Sequence, residues 1–141
     1  MQTFLPYPSF AASAKSLDRQ RLGKQRVETM QILQVLTGAK SGWKNHPAVK
    51  MWCGFEGQLA SYGVAICLEW KSRGYRDTCL QKIEALAAPG VGPKPPWMGL
   101  DDFHRSHRSN LLRKKPEHYG QLWNDVSDDL PYVWPSAGPK T

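Results

Sequence analysis

Leu22, Thr29, Ile32, Leu33 and Leu36 recur at helical spacing and predict the buried face of one long helix, running from about Ala12 to Leu36. Ser9 or Ser13 is its candidate N-cap, and Gly38 suits its C-terminal stop in the left-handed conformation. Gly23 lies inside it at a cost of roughly 1 kcal/mol relative to Ala, and marks either a close approach or a break. A second pattern, Leu59, Tyr62, Ile66 and Trp70 widened by Val64, Cys67 and Leu68, predicts the most buried helix, from about Glu56 to Arg73. Shorter helices are expected over about 47–53, with Pro47 in the first turn, and from Asp77 or Thr78 to about Ala87. A last one runs from about Leu100 to Lys114, and Pro116 opens a further turn through Leu122. The Pro- and Gly-rich stretch 88–96 reads as an ordered connection, because too few residues follow it for a second core.

No alternating strand pattern and no internal repeat interrupts this series. The expectation is all-α: one domain over residues 1–141 with about four to six helices, a long Pro/Gly-rich loop and an extended C-terminal tail, frayed over 136–141.

Charge changes the picture. A formal net charge of +7 points to a polyanionic partner, nucleic acid or an anionic surface. No run of about 18 apolar residues suits a transmembrane helix, and the N-terminus lacks the basic start and long apolar stretch of a signal peptide. A cytoplasmic protein is therefore expected. The three cysteines, Cys53, Cys67 and Cys79, are odd in number and show no CxxC spacing, which argues against a disulfide framework or a zinc knuckle.

Three clusters carry candidate chemistry. The first is Leu17 to Glu28, dense in cations with one interior acid: on a helix Arg21, Lys24, Gln25 and Glu28 share a face. Such a face suits phosphates and holds a carboxylate placed for chemistry; alternatively Glu28 pairs with Lys24 at i,i+4 on a solvated surface. The second is the 103–115 segment. His104 and Arg108 are neighbours able to face phosphates, Arg105, Arg113 and Lys114 enlarge the basic field, and His107 falls on the apolar stripe as a candidate buried histidine. His104 and His107 at i,i+3 are also a workable metal-ligand pair, although no acid or cysteine at a standard offset completes a set. The third is the loop Trp43-Lys44-Asn45-His46-Pro47. Its place before a helix N-terminus suits a phosphate or a base, while the structural alternative is capping by Asn45 and core packing by Trp43.

Taken in order, these segments resemble the pyrimidine-dimer DNA glycosylase family of the phage endonuclease V type, and most closely its bacterial branch. The resemblance covers about residues 15–120. It rests on the basic helix around Glu28, the Gly42 to Pro47 loop, the Glu69 to Tyr75 helix end and the His104 to Tyr119 segment. It implies a compact helical protein that kinks double-stranded DNA, flips a nucleotide and excises a damaged or modified pyrimidine, acting as a monomer without a cofactor or a membrane. It further implies that the N-terminal amine, here of Met1, attacks C1′ to give a Schiff base. β-Elimination then cuts the strand, Glu28 assists sugar and proton-transfer steps, and Arg21, Lys24 and Arg26 hold phosphates. α-Amino groups as a class lose their proton near pH 7.7–8.0, well below lysine, so such a nucleophile suits neutral pH. Two positions depart from the phage pattern: residue 2 is Gln rather than Thr, and Val27 rather than Arg precedes the acid. A non-catalytic nucleic-acid-binding module of the same fold, and a metal-dependent nuclease using His104 and His107, are the alternatives.

Overall fold

Helix formation follows the apolar stripes, and the stops follow the caps. A computed structural model describes residues 1–135. Seven helices and no strand occur among them: α1 (Phe10–Ser16), α2 (Arg19–Leu36), α3 (Pro47–Lys50), α4 (Glu56–Ser72), α5 (Leu80–Leu86), α6 (Asp101–Lys114) and α7 (Pro116–Tyr119). The all-α expectation holds, and the number rises above the four to six expected because one expected helix is divided in two. The tail beyond residue 135, expected to fray, lies outside the described residues.

The single helix expected from Ala12 to Leu36 is two. Leu17 and Asp18 are extended, and the Asp18 carboxylate accepts the Arg21 N–H to start α2 afresh. Asp18 is almost wholly buried. Burial alone would raise its pKa. The Tyr119 hydroxyl and the Arg21 guanidinium, 3.2 Å away, outweigh this and hold it below the ordinary carboxylate range. A carboxylate depressed in the folded state contributes stability above its unfolded pKa, and that contribution is lost as pH falls through the folded value. Thermal melts between about pH 5 and about pH 2 are therefore expected to show Asp18→Asn, which keeps a capping oxygen, losing less stability than the parent chain. Parallel curves for the two proteins would remove Asp18 from the acid response.

Leu22, Thr29, Ile32 and Leu33 are buried as expected, while Leu36 is only partly so. α4 is the central helix, packed against α1, α2 and α5, with Leu59, Tyr62, Ile66 and Cys67 fully covered. Gly23 marks a close approach and not a break: a Cβ there would sit 3.0 Å from the Trp70 ring of α4. Gly57 receives the Pro/Gly-rich connection, since a Cβ would lie 1.8 Å from the Val91 carbonyl oxygen, and the Gly90 N–H donates to the Gly57 carbonyl at 2.8 Å. Trp97 closes the core between Trp52 and Phe103, with ring centroids 4.9 and 4.8 Å away. No helix among the described residues is long and apolar enough to cross a membrane.

Residues 2–6 are not helical, yet they are buried between the helices. Buried backbone polar groups need partners. Here almost every one finds a side chain, which fixes the start of the chain against α2, α4 and α6.

Candidate active site

The N-terminal segment is clamped residue by residue. The Gln2 N–H donates to Glu28 Oε2 at 3.1 Å, and the Gln2 carbonyl accepts from Gln25 Nε2 at 2.8 Å. The Phe4 N–H donates to Gln25 Oε1 at 3.0 Å, and the Phe4 carbonyl accepts from the Tyr62 hydroxyl at 2.7 Å. Trp52 Nε1 donates to Thr3 Oγ1 at 3.0 Å. Leu5 is bracketed by two rings: its N–H donates to His107 Nδ1 at 3.0 Å, and its carbonyl accepts from His104 Nδ1 at 2.8 Å. Arg108 donates to the Pro6 carbonyl at 2.8 Å.

This clamp brings Met1 beside Glu28. Glu28 accepts from Gln2 N–H and from Gln25 Nε2 at 3.1 Å, and among the described residues it makes no ion pair, so the expected alternative of a Lys24 pair does not occur. Met1 and Glu28 line two hollows at once. One, of about 280 Å³, is walled by Gln20, Arg21, Lys24, Gln25 and Lys114; the other, of about 440 Å³, by Gln31, Gln34, Val35, Lys40, Gly42 and Trp43. Lys24, Lys40 and Lys114 are exposed and, among the described residues, unpaired, so the acid and the chain start face a positive field. His46 stands near enough to feel both groups: burial lowers its pKa, the N-terminal positive charge lowers it further, and Glu28 opposes them.

Several residues expected at a nucleic-acid surface are placed elsewhere. Gln25 is 1 % exposed and serves as the clamp's hub. His104 and His107 are 2 % and 1 % exposed. The Gly99 N–H donates to His104 Nε2 at 2.9 Å, so the neutral ring carries its proton on Nδ1, consistent with a pKa lowered by burial. Burial and neighbouring His104 lower His107 to about 3. Hydrogen bonds to backbone occupy both nitrogens of His104 and Nδ1 of His107, which removes them as a ligand pair in this arrangement. Among the described residues no group of three His, Cys, Asp or Glu side chains is placed to hold a metal.

Arg26 also leaves the candidate surface. Its guanidinium donates to Asp77 at 2.7 Å and lies 4.5 Å from the Trp70 ring centroid, while Asp77 caps α5 through the Cys79 and Leu80 N–H groups. Burial would raise the Asp77 pKa, but Arg26 and the two N–H groups hold it down. Arg105 lies 3.4 Å from Asp101, and Arg113 donates to Asn110 and, at 2.6 Å, to the Asp128 carbonyl. Arg21 and Lys24 of α2, with Lys114 from the end of α6, stay at the hollow. Lys44 and Asn45 are exposed, but α3 is capped by His46 Nδ1, which accepts the Ala48 N–H at 3.0 Å, and not by Asn45. Trp43 is 65 % exposed rather than packed in the core, and it adopts φ +66°. For a bulky residue that left-handed backbone costs of the order of 1–3 kcal/mol, and it occurs where surrounding structure imposes it.

Gln20, Gln31, Gln34 and Lys40 belong to the site without having been expected there. Gln31 and Gln34 follow Glu28 at i+3 and i+6, so the helical stripe that carries the acid would have found them.

An acid and the first residue thus lie among cations on an all-helical frame. A family model described as pyrimidine dimer DNA glycosylase matches residues 1–83, more than half of the chain, and the protein belongs to that family. Its function is accordingly DNA repair of the pyrimidine dimer glycosylase type, with DNA as substrate. The matched residues include Met1, Glu28 and both hollows' α2 walls; α6 lies beyond them. No curated protein and no solved structure matches the chain.

Proposed function

We propose that this protein excises a pyrimidine through the α-amino group of Met1 and then cuts the strand as an abasic-site lyase. The supporting observation is the Gln2 N–H bonded to Glu28 Oε2 at 3.1 Å, which holds the acid one residue from the chain's first nitrogen. The neutral amine forms a bond to C1′ as the glycosidic C1′–N bond breaks, and the base departs with that electron pair and takes up a proton. The attached amine loses its proton and the C1′–O4′ bond opens, O4′ taking up a proton, to leave an imine that acidifies C2′. Glu28 accepts the C2′ proton, and the C3′–O bond breaks to release the 3′-side strand with a 5′-phosphate. Hydrolysis of the imine frees the protein. The duplex opens to expose C1′ at a cost of a few kcal/mol, which damage reduces.

Incubation with an abasic-site duplex and borohydride is expected to give a covalent adduct whose DNA maps to the N-terminal peptide and which disappears when the N-terminus is acetylated. An adduct persisting on acetylated protein would transfer the nucleophile to a lysine. No adduct with salt-dependent binding intact would favour the binding-module alternative.

Lys24 and Lys114 are assigned to phosphates. Lys24→Ala and Lys114→Ala are each expected to reduce the slope of log K against log salt by about 0.9. Arg26→Ala is expected to leave that slope unchanged and instead to lower thermal stability, because it strands the buried Asp77 carboxylate. Binding titrations at several salt concentrations check all three; a reduced slope in Arg26→Ala alone would reverse the assignment.

A further inference from the structure

Asp18 carries more than the cap of α2 requires. A cap needs one acceptor, and Asp18 Oδ2 supplies it to the Arg21 N–H at 3.4 Å. A neutral Ser or Asn would serve as well without burying a charge. Here the other oxygen, Oδ1, accepts both Arg21 Nη1, at 3.2 Å, and the Tyr119 hydroxyl. The same hydroxyl accepts the Asp18 N–H at 3.0 Å, so Tyr119 holds the backbone and the side chain of one residue. We propose that Tyr119 and Asp18 are positioning residues for DNA binding: they fix the Arg21 guanidinium at the smaller hollow and leave the rest of its fork free for a backbone phosphate. This rests on the reading of that cationic hollow as the phosphate site.

Packing gives the hydroxyl one position. Tyr119 is wholly buried in α7; its ring lies flat against Trp123, with centroids 5.2 Å apart, and the His118 ring stands edge-on at 4.6 Å. Burial pushes the Tyr119 pKa up and the hydrogen bond to Asp18 adds to this, so the hydroxyl stays a donor. With Tyr119 on one lone pair of Oδ1, the other is left for Arg21. Arg21 lines the hollow with Lys24 and Lys114, and among the described residues Nη1 is its one guanidinium nitrogen with a hydrogen-bond partner. A guanidinium presents five N–H donors in a planar fork, so most of them remain for phosphate oxygens. A long cationic side chain already held in place gives up little freedom on binding, whereas the exposed Lys24 and Lys114 must first be ordered. Lys115, 4.0 Å from Asp18 Oδ2, is too distant for a hydrogen bond and does not displace Arg21.

The sign of one result separates positioning from simple charge. Asp18→Asn keeps a capping oxygen and removes a negative charge from a protein that meets a polyanion. Were Asp18 only to offset Arg21, this variant would bind an undamaged duplex more tightly and with a steeper dependence on salt. The expected result is the reverse: binding about threefold or more weaker, because the charge-assisted hold on Arg21 is lost. Its slope of log K against log salt is expected to fall toward that of Arg21→Ala, about 0.9 below the parent chain. Tyr119→Phe is expected to act in the same direction, and in an Arg21→Ala background neither substitution is expected to cause a further loss. Tyr7→Phe, which takes away a hydroxyl that accepts from Trp123 Nε1 at 2.7 Å, is expected to keep the parent slope and so controls for loosened packing beneath Tyr119. Anisotropy titrations of the full chain at several salt concentrations read all of these. Tighter binding by Asp18→Asn, or a loss in Tyr119→Phe that multiplies with that of Arg21→Ala, would overturn the proposal. A parent slope in Arg21→Ala would instead remove the hollow as the phosphate site, and the positioning role with it. Should Tyr119→Phe fail to fold, the direction of the Asp18→Asn change decides alone.

Discussion

Glu28→Gln is expected to cut abasic-site strand cleavage by about 10²–10⁴-fold while leaving duplex affinity nearly unchanged. The substitution is close to isosteric. Its amide oxygen can still accept the Gln2 N–H that Glu28 Oε2 now accepts at 3.1 Å, so the chain start stays in place. What disappears is the negative charge beside the reacting sugar and the group able to take the C2′ proton. The surrounding cations, Arg21, Lys24 and Lys114, remain to hold phosphates. Removing an acid from a positive face cannot weaken attraction to a polyanion, so a drop in affinity would signal a displaced N-terminal segment and not lost chemistry. Single-turnover cleavage, fluorescence anisotropy and a thermal melt together separate these cases. Parent-level cleavage by Glu28→Gln would remove the carboxylate from the mechanism.

The helices of this fold are legible in the chain because their signals are local. The stripe from Leu22 to Leu33 and the pattern from Leu59 to Trp70 give α2 and α4 nearly to their ends. The break between α1 and α2 is written in Asp18, an N-cap residue, but the apolar Leu17 beside it continues the helical pattern and hides the stop. Glu28 stands out as the lone acid in a basic helix, and the structure sets it beside the chain start. The residues that create this proximity are not legible, because their partners are distant in sequence. His107 reads as a buried histidine and is one, but His104 reads as a phosphate ligand and the pair as metal ligands, and nothing in the chain shows that together they bracket Leu5, about a hundred positions away. Gln25 reads as a surface amide on the basic face; only the three-dimensional path of residues 2–6 shows that it has been taken inside. Arg26 is one more cation in the sequence, and its commitment to Asp77 depends on how α2 crosses the loop before α5.

Gln25 is where fold and chemistry meet, and its variants are expected to show both. Its carboxamide accepts from the Phe4 N–H and the Tyr62 hydroxyl, the latter at 2.6 Å, and donates to the Gln2 carbonyl and to Glu28 Oε2. In Gln25→Leu the buried Phe4 N–H and Gln2 carbonyl lose their partners, at about 1–3 kcal/mol each, so a loss of roughly 2–6 kcal/mol is expected from the urea midpoint at unchanged m. Gln25→Glu probes the other role. It retains an acceptor for Phe4 and Tyr62, but it sets a second carboxylate where an amide nitrogen now lies 3.1 Å from Glu28 Oε2. Two carboxylates so close cannot both ionise at the usual pH, and the proton they share is held to higher pH. If Glu28 is the base for elimination, the acid limb of the cleavage rate against pH moves upward in Gln25→Glu, and cleavage recovers in mildly alkaline buffer. A merely structural glutamine would lower the rate at every pH alike. An unmoved acid limb in a folded Gln25→Glu protein would therefore separate Glu28 from proton transfer even if the N-terminal amine remains the nucleophile.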